Sequence, residues 1–221
     1  FESYWSVPAT AATAREGAWE PGPGDAIFDA MRDALGNLPI VAENLGVITP
    51  EVEGLRERHR IPGMYVLQFD VCDAGFSLSD VSTDSVCYTG THDNDTTIGW
   101  FRGSPDDIRS ADDIAAAQQA VLALTGGTAE TVHIDLIQAA FSTDARIAIA
   151  PMQDYLGLGS EARINTPGVP GGNWRWRALD TQLSPKLCDN IASLVTASGR
   201  ELSSNEQSEH RNLPPRQSTH A

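Results

Sequence analysis

The chain has 221 residues, with 15 basic and 30 acidic side chains and a formal net charge of −15. Such an acidic surface disfavours nucleic acid and anionic membranes as partners, and no apolar run approaches the ~18 residues of a membrane span. Lys186 is the one lysine among the basic residues, a bias that fits a high-salt habitat, where counter-ions screen carboxylate repulsion, and equally fits an arginine-favouring, GC-rich gene.

In chain order, residues 1–8 form an aromatic stretch with Phe1, Tyr4 and Trp5. The indole of Trp5 suits either packing or stacking on a sugar. Residues 9–24 read as a loop, closed by the turn chemistry of Pro21-Gly22-Pro23-Gly24. Asp25 is expected to cap an amphipathic helix with Ile27, Phe28, Met31 and Leu35 on one face, stopped by Gly36. The apolar run Leu38-Pro39-Ile40-Val41-Ala42 is expected to be a strand that delivers Glu43 at its carboxyl end. There it would border low-dielectric surroundings of the kind a general acid uses; read alone, it equally fits a surface residue at a strand end or an acid at a helix N-terminus. Thr49 as N-cap and Pro50 at the first helical position start a second helix, with His59 on the surface at its end.

Met64-Tyr65-Val66-Leu67-Gln68-Phe69 is the next expected strand, with Asp70 and Asp73 as loop carboxylates beyond it. A further strand over residues 85–89 stops at Gly90 and opens into Thr91-His92-Asp93-Asn94-Asp95-Thr96-Thr97. A strand end that releases so many polar groups is the arrangement barrel enzymes use at their active face; an acidic turn or an oxygen-ligand metal loop is the plainer alternative. Glu43 and Asp93, each at a strand end, form a candidate glycosidase-type carboxylate pair. Trp100 and Phe101 are placed beneath that site.

An acidic linker over residues 104–113 leads to a helix with Ile114, Ala117, Val121 and Leu122 on its inner face, ended by Gly126-Gly127. Thr128 is expected to cap another, burying Val132, Leu136, Ile137, Ala140 and Phe141. Residues 146–151 read as the last strand. The polar, Gly-rich stretch over residues 157–173 would be a binding rim: Arg163 and Asn165 have groups suited to sugar hydroxyls, and Arg163 is equally suited to a salt bridge. Trp174 and Trp176 would face opposite sides if extended. A helix over residues 183–198 closes the folded part. Residues 199–221, with His210 and His220, form a polar tail expected to be disordered. Cys72, Cys87 and Cys188 lack zinc spacing and fit reduced thiols of a cytoplasmic protein.

Alternation of strand and helix gives an α/β fold with a parallel sheet. Three stretches then carry a resemblance: Ala42-Glu43-Asn44-Leu45-Gly46-Val47-Ile48-Thr49-Pro50, Thr91-His92-Asp93-Asn94-Asp95-Thr96 and Gln153-Asp154-Tyr155-Leu156-Gly157-Leu158-Gly159-Ser160-Glu161-Ala162-Arg163-Ile164-Asn165. With Phe1-Glu2-Ser3-Tyr4-Trp5 and Gly172-Asn173-Trp174-Arg175-Trp176-Arg177, they resemble the 4-α-glucanotransferases, or amylomaltases, of glycoside hydrolase family 77.

The resemblance implies a (β/α)₈ barrel, of which residues 1–198 would supply roughly the fifth to eighth strands, leaving an open sheet edge. It implies a retaining double displacement on α-1,4-glucans, with a maltodextrin donor, a glucose or maltodextrin acceptor, and no cofactor or metal. Glu43 would be the general acid/base, Asp93 the carboxylate that stabilises the transition state, and His92, Trp5, Asn165 and Arg163 substrate contacts. The family's nucleophilic Asp precedes the segment matching Phe1, so the chain is expected to be a carboxyl-terminal portion, inactive alone. Asn44 departs from the family's Asp and drops a charge beside Glu43. An α-amylase-like hydrolase and a non-catalytic glucan-binding fragment remain open alternatives.

Overall fold

The computed structural model describes residues 1–105 and 107–201; the tail from residue 202 on, with His210 and His220, lies outside the described residues. Its centre is a three-stranded parallel sheet of β3 (Gly63–Val66), β4 (Ser85–Tyr88) and β5 (Ile147–Ile149), in that spatial order. Cys87 aligns with Tyr65 on one side and Ala148 on the other.

Helices α4 (Thr97–Arg102), α5 (Ala111–Thr125) and α6 (Val132–Ser142) pack against one another beside this sheet. Leu136 and Ile137 of α6 and Val121 of α5 are fully buried with Leu67 and Cys87, and each large aliphatic side chain contributes about 1.5–3 kcal/mol by leaving water. Ser110 and Asp113 form a reciprocal cap at the start of α5, and Gly126 ends it in the left-handed region. The last helix, α8 (Pro185–Ala197), starts at a Ser184–Pro185 cap and lays Leu194 and Val195 on the core.

The four expected parallel strands become three. Residues 38–42 form no strand: Ala42 N–H donates to Pro62 O at 2.8 Å, but the ladder goes no further. The N–H of Met64, which a parallel ladder would direct to Ala42 O, donates instead to Asn44 Oδ1 at 2.8 Å. The strand expected over residues 64–69 also stops early, because Leu67–Asp70 turn into the short helix α3.

The loop expected over residues 9–24 differs as well, since part of it pairs with the aromatic stretch before it. β1 (Ser3–Ser6) pairs antiparallel with β2 (Ala18–Pro21), placing Trp5 opposite Trp19. Their rings meet edge to face at 5.4 Å, a cross-strand pair that stabilises an otherwise exposed ribbon.

Helix α1 (Asp25–Leu35) has Gly24, not Asp25, at its cap position. The Asp25 carboxylate turns to α2 (Pro50–Arg58), accepting two bonds from Arg58 at 3.0 Å and lying 2.8 Å from His59 Nε2. These bonds hold the Asp25 carboxyl below its ordinary range. His59 is therefore an interhelical contact, packed on the Phe28 ring at 4.8 Å, rather than a free surface residue. At the other end, Arg200, grouped by composition with the tail, donates to Phe141, Thr143 and Ala145 carbonyls at 2.6–3.0 Å, and so closes the exposed end of α6.

Candidate active site

The site is built on the connection between β4 and α4. Thr89 ends the strand region and Thr97 begins the helix, and one carboxylate holds both. Asp154, in the short helix α7 (Met152–Tyr155), accepts from Thr89 Oγ1, Thr97 N and Thr97 Oγ1, each at 2.8 Å. Asp154 is only 1% exposed. Burial pushes its carboxyl above the usual range, and the bonds from Thr97 and Thr89 pull the other way.

Between those anchors the loop is tied down residue by residue. Asn94 Oδ1 accepts from Thr91 N at 2.9 Å and Thr91 Oγ1 at 2.7 Å. Asp95 caps Thr96 N with one oxygen at 2.7 Å and accepts from Ser160 Oγ with the other at 2.6 Å. Gln68 Nε2 donates to the Asp95 carbonyl at 3.0 Å. A Cβ at position 90 would lie 2.7 Å from Gln68 Nε2 and push that amide from its bond to Asp95 O.

Asp93 is thereby presented with both its backbone and side chain engaged. Arg163 Nη2 donates to the Asp93 carbonyl at 2.7 Å, and Asn165 Nδ2 donates to Asp93 Oδ1 at 2.5 Å. Arg163 also holds Asn165 O through Nε at 2.9 Å; its partners here are carbonyls rather than a carboxylate. His92 Nε2 lies 3.4 Å from Asp93 Oδ1, and its ring faces Trp174 at 5.1 Å.

The extended backbone on which Trp174 and Trp176 would face opposite sides is not present, since φ is +64 at Trp174. Its N–H donates to Ile164 O at 2.7 Å, and that unfavoured backbone region brings the indole to His92.

Glu43 and Asp93 line one cavity of about 950 Å³, together with Gln68, Asn94, Asp95 and Arg163. Glu43 and His92 also share a smaller space of about 330 Å³ with Met64, Tyr88 and Ile164. The two carboxylates from separate chain regions are thus brought to common ground. The surroundings of Glu43 differ from the expectation: it is exposed, and Val41 beside it is 40% exposed, because residues 38–42 run outside the sheet ladder. Asn44 points to Met64 N and to Glu53, where Nδ2 lies 3.2 Å from Oε1, and so fastens the Glu43 segment to β3 and α2.

Trp5 is not brought to this site. Its indole N–H donates to Ala14 O at 2.7 Å within the ribbon, and it lines neither cavity. Trp100 and Phe101 lie buried below the loop as expected. Asp154, Gln68 and Ser160 were not singled out from sequence: a polar residue in a helical turn carries no periodic mark of burial, and their partners lie at least 27 positions away. Among the described residues, no three His, Cys, Asp or Glu side chains gather as a metal cage, and no helix is long and apolar enough to cross a membrane.

Residues 1–182 match the profile of the 4-alpha-glucanotransferase family, glycoside hydrolase family 77. The chain belongs to this family. Over 208 residues it is 47% identical to the 4-alpha-glucanotransferase of Synechocystis sp., covering 91% of the chain and 39% of that relative. The Thermus thermophilus 4-alpha-glucanotransferase is 42% identical over 205 residues, covering 90% of the chain and 40% of the relative. The chain therefore spans about two fifths of the length of these family members. Amylomaltase from Streptococcus agalactiae in complex with acarbose superposes with a TM-score of 0.76 at 30% identity, over 90% of the chain and 39% of that structure. Amylomaltase from Corynebacterium glutamicum, at 14% identity and a TM-score of 0.67, covers 87% of the chain and 34% of its own and shares the fold. The mixed α/β fold with a parallel sheet is thus an amylomaltase-like one.

Proposed function

We propose that the chain is part of the catalytic (β/α)₈ barrel of a 4-α-glucanotransferase that moves α-1,4-glucan segments from a maltodextrin donor to a glucose or maltodextrin acceptor. The observation that carries this reading is the convergence of Glu43 and Asp93 on one cavity, with Asp93 fixed by Arg163 and Asn165. In this reading β3, β4 and β5 are three of the later barrel strands, and their carboxyl ends face the reaction.

Glu43 protonates the glycosidic oxygen as the bond to the anomeric carbon breaks. The attacking carboxylate comes from an Asp outside residues 1–221 and forms a covalent glucosyl ester. Retention requires that carboxylate and Glu43 to stand about 5–5.5 Å apart. Glu43, now ionised, takes the proton of an incoming sugar hydroxyl, whose oxygen displaces the ester. Asp93 faces the oxocarbenium-like transition state with negative charge; the Asn165 amide and the Arg163 bond to its carbonyl hold it in place. His92, beside Asp93 and against Trp174, offers a ring nitrogen to a sugar hydroxyl. Neither a metal nor an organic cofactor enters these steps.

Incubation of the complete gene product carrying this chain with a maltodextrin and isotope-labelled glucose tests the reading. Label at the reducing end of new maltodextrins is the expected result. Free reducing ends without incorporation would assign a hydrolase instead, and no change in the sugars would leave a binding protein.

A further inference from the structure

The loop over residues 163–174 grips the dipeptide His92–Asp93 from both sides. Its first residues hold Asp93: Arg163 donates to the Asp93 carbonyl at 2.7 Å and Asn165 to the carboxylate at 2.5 Å. Its last residue meets His92, where the Trp174 indole lies 5.1 Å from the imidazole with the two planes 38° apart. The two ends are stapled to each other, since Trp174 N donates to Ile164 O at 2.7 Å. Asn173 closes the span between them: its Oδ1 accepts from Thr166 N at 3.0 Å and its Nδ2 donates to Val169 O at 2.9 Å.

Trp174 stands in this place at a cost. At φ +64 it occupies the left-handed region, where a bulky L-residue is an outlier and glycine would sit without strain. Core packing does not account for the residue, because it is 56% exposed. The backbone bend instead carries the ring to His92. Arg177 fixes the bend, donating through Nη1 to Trp174 O at 2.9 Å and to Trp176 O at 2.7 Å. A strained residue over-determined by its surroundings, beside a polar group of the site, is the pattern of a position kept for function. The imidazole needs such a wall. Its side chain is 49% exposed, and Asp93 Oδ1 is 3.4 Å from Nε2, too long to fix the ring by itself.

We propose that Trp174 is a positioning residue for glucan transfer: its indole holds the His92 imidazole at the angle from which a ring nitrogen meets a sugar hydroxyl. The inference rests on the glucan-transfer reading and adds what sets the histidine's aim. Trp174 acts through His92 and not on the sugar, so its effect vanishes when His92 is removed.

Three substitutions in the complete gene product separate ring, strain and fold. Trp174→Leu keeps the strained backbone and removes the ring, Trp174→Gly removes both, and Trp174→Phe keeps an aromatic face. Trp174→Leu is expected to lower kcat on maltotriose about tenfold with little change in KM, as loss of alignment does, and Trp174→Phe to restore most of it. Trp174→Gly should lose as much activity while melting no lower than Trp174→Leu, since glycine accepts the positive φ. In a His92→Ala background, the further loss from Trp174→Leu should stay below about twofold. Full additivity of those two substitutions, or an unchanged kcat in Trp174→Leu, would overturn the proposal. The ring contact is read without sugar in the proton spectrum of the His92 imidazole. Its signals, shifted upfield by the indole, should move on Trp174→Leu, and unmoved signals would also overturn the proposal. A wild type that shows the ring contact but no transfer would overturn the glucan-transfer reading, and this inference with it.

Discussion

Asp70 closes α3 with Oδ2 buried and unpartnered among the described residues, and burial lifts its carboxyl from 3.8 to about 6, with Asp73 adding to the rise. A carboxyl that binds its proton more tightly when folded stabilises the fold at low pH. That contribution is present below 3.8 and is lost as pH rises to about 6. Denaturant titrations are expected to show stability falling across this window, and Asp70→Asn should flatten that slope; an unchanged slope would place the titration elsewhere. At Glu43, the proposed acid/base role predicts that Glu43→Gln lowers transfer by about 10²–10⁴-fold, measured as kcat on maltotriose in the complete gene product. Asn44 acts here through its hydrogen bonds. It fastens Met64 N and Glu53, so Asn44→Asp would set a carboxylate against Glu53 and cost about 1–3 kcal/mol in stability, readable in a thermal melt.

The connection between β4 and α4 behaves as one unit because Asp154 grips both its ends. Asp154→Ala leaves two buried threonine hydroxyls and an N–H without their acceptor. The loss is expected to be about 2–4 kcal/mol, with faster hydrogen exchange at residues 90–97 than in α6. Asp154→Asn should recover much of it, since the hydroxyls of Thr89 and Thr97 can rotate to accept from the amide. Exchange confined to α6 would show that Asp154 supports the core rather than the loop.

At this scale the sequence was legible where local chemistry decides. Thr49-Pro50 and Gly126 mark helix ends correctly, and α6 shows its buried face by spacing. The cap of α6 fell three residues late, at Thr131, because Thr128 and Thr131 bond to each other in a preceding turn. The strand at residues 38–42 failed because an asparagine side chain took the ladder's hydrogen bond, a competition no apolar pattern records. His92 and Asp93 could be read as polar groups just beyond a strand end, whereas Glu43, read the same way, follows a segment that forms no strand. Their supports, Asp154, Gln68 and Ser160, could not, since each acts across the fold.

Across the whole molecule, charge and edge set the behaviour. Thirty carboxylates against fifteen basic groups repel one another, and salt at about 1 M shortens that repulsion to about 3 Å. The thermal midpoint is therefore expected to rise between about 0.05 M and about 1 M NaCl; a fall would mean that favourable ion pairs such as Asp25–Arg58 outweigh net repulsion. β5 borders the sheet with Ile147 and Ile149 at 46% and 41% exposed, an open parallel edge of the kind that pairs with other chains.

The most direct measurement follows the products formed from maltotriose by the complete gene product, beside Glu43→Gln and Asp93→Asn. Glucose appearing together with maltodextrins longer than the substrate, and both lost in the two variants, is the expected result. Longer products formed undiminished by either variant would contradict the proposed roles of Glu43 as acid/base and Asp93 as the stabilising carboxylate.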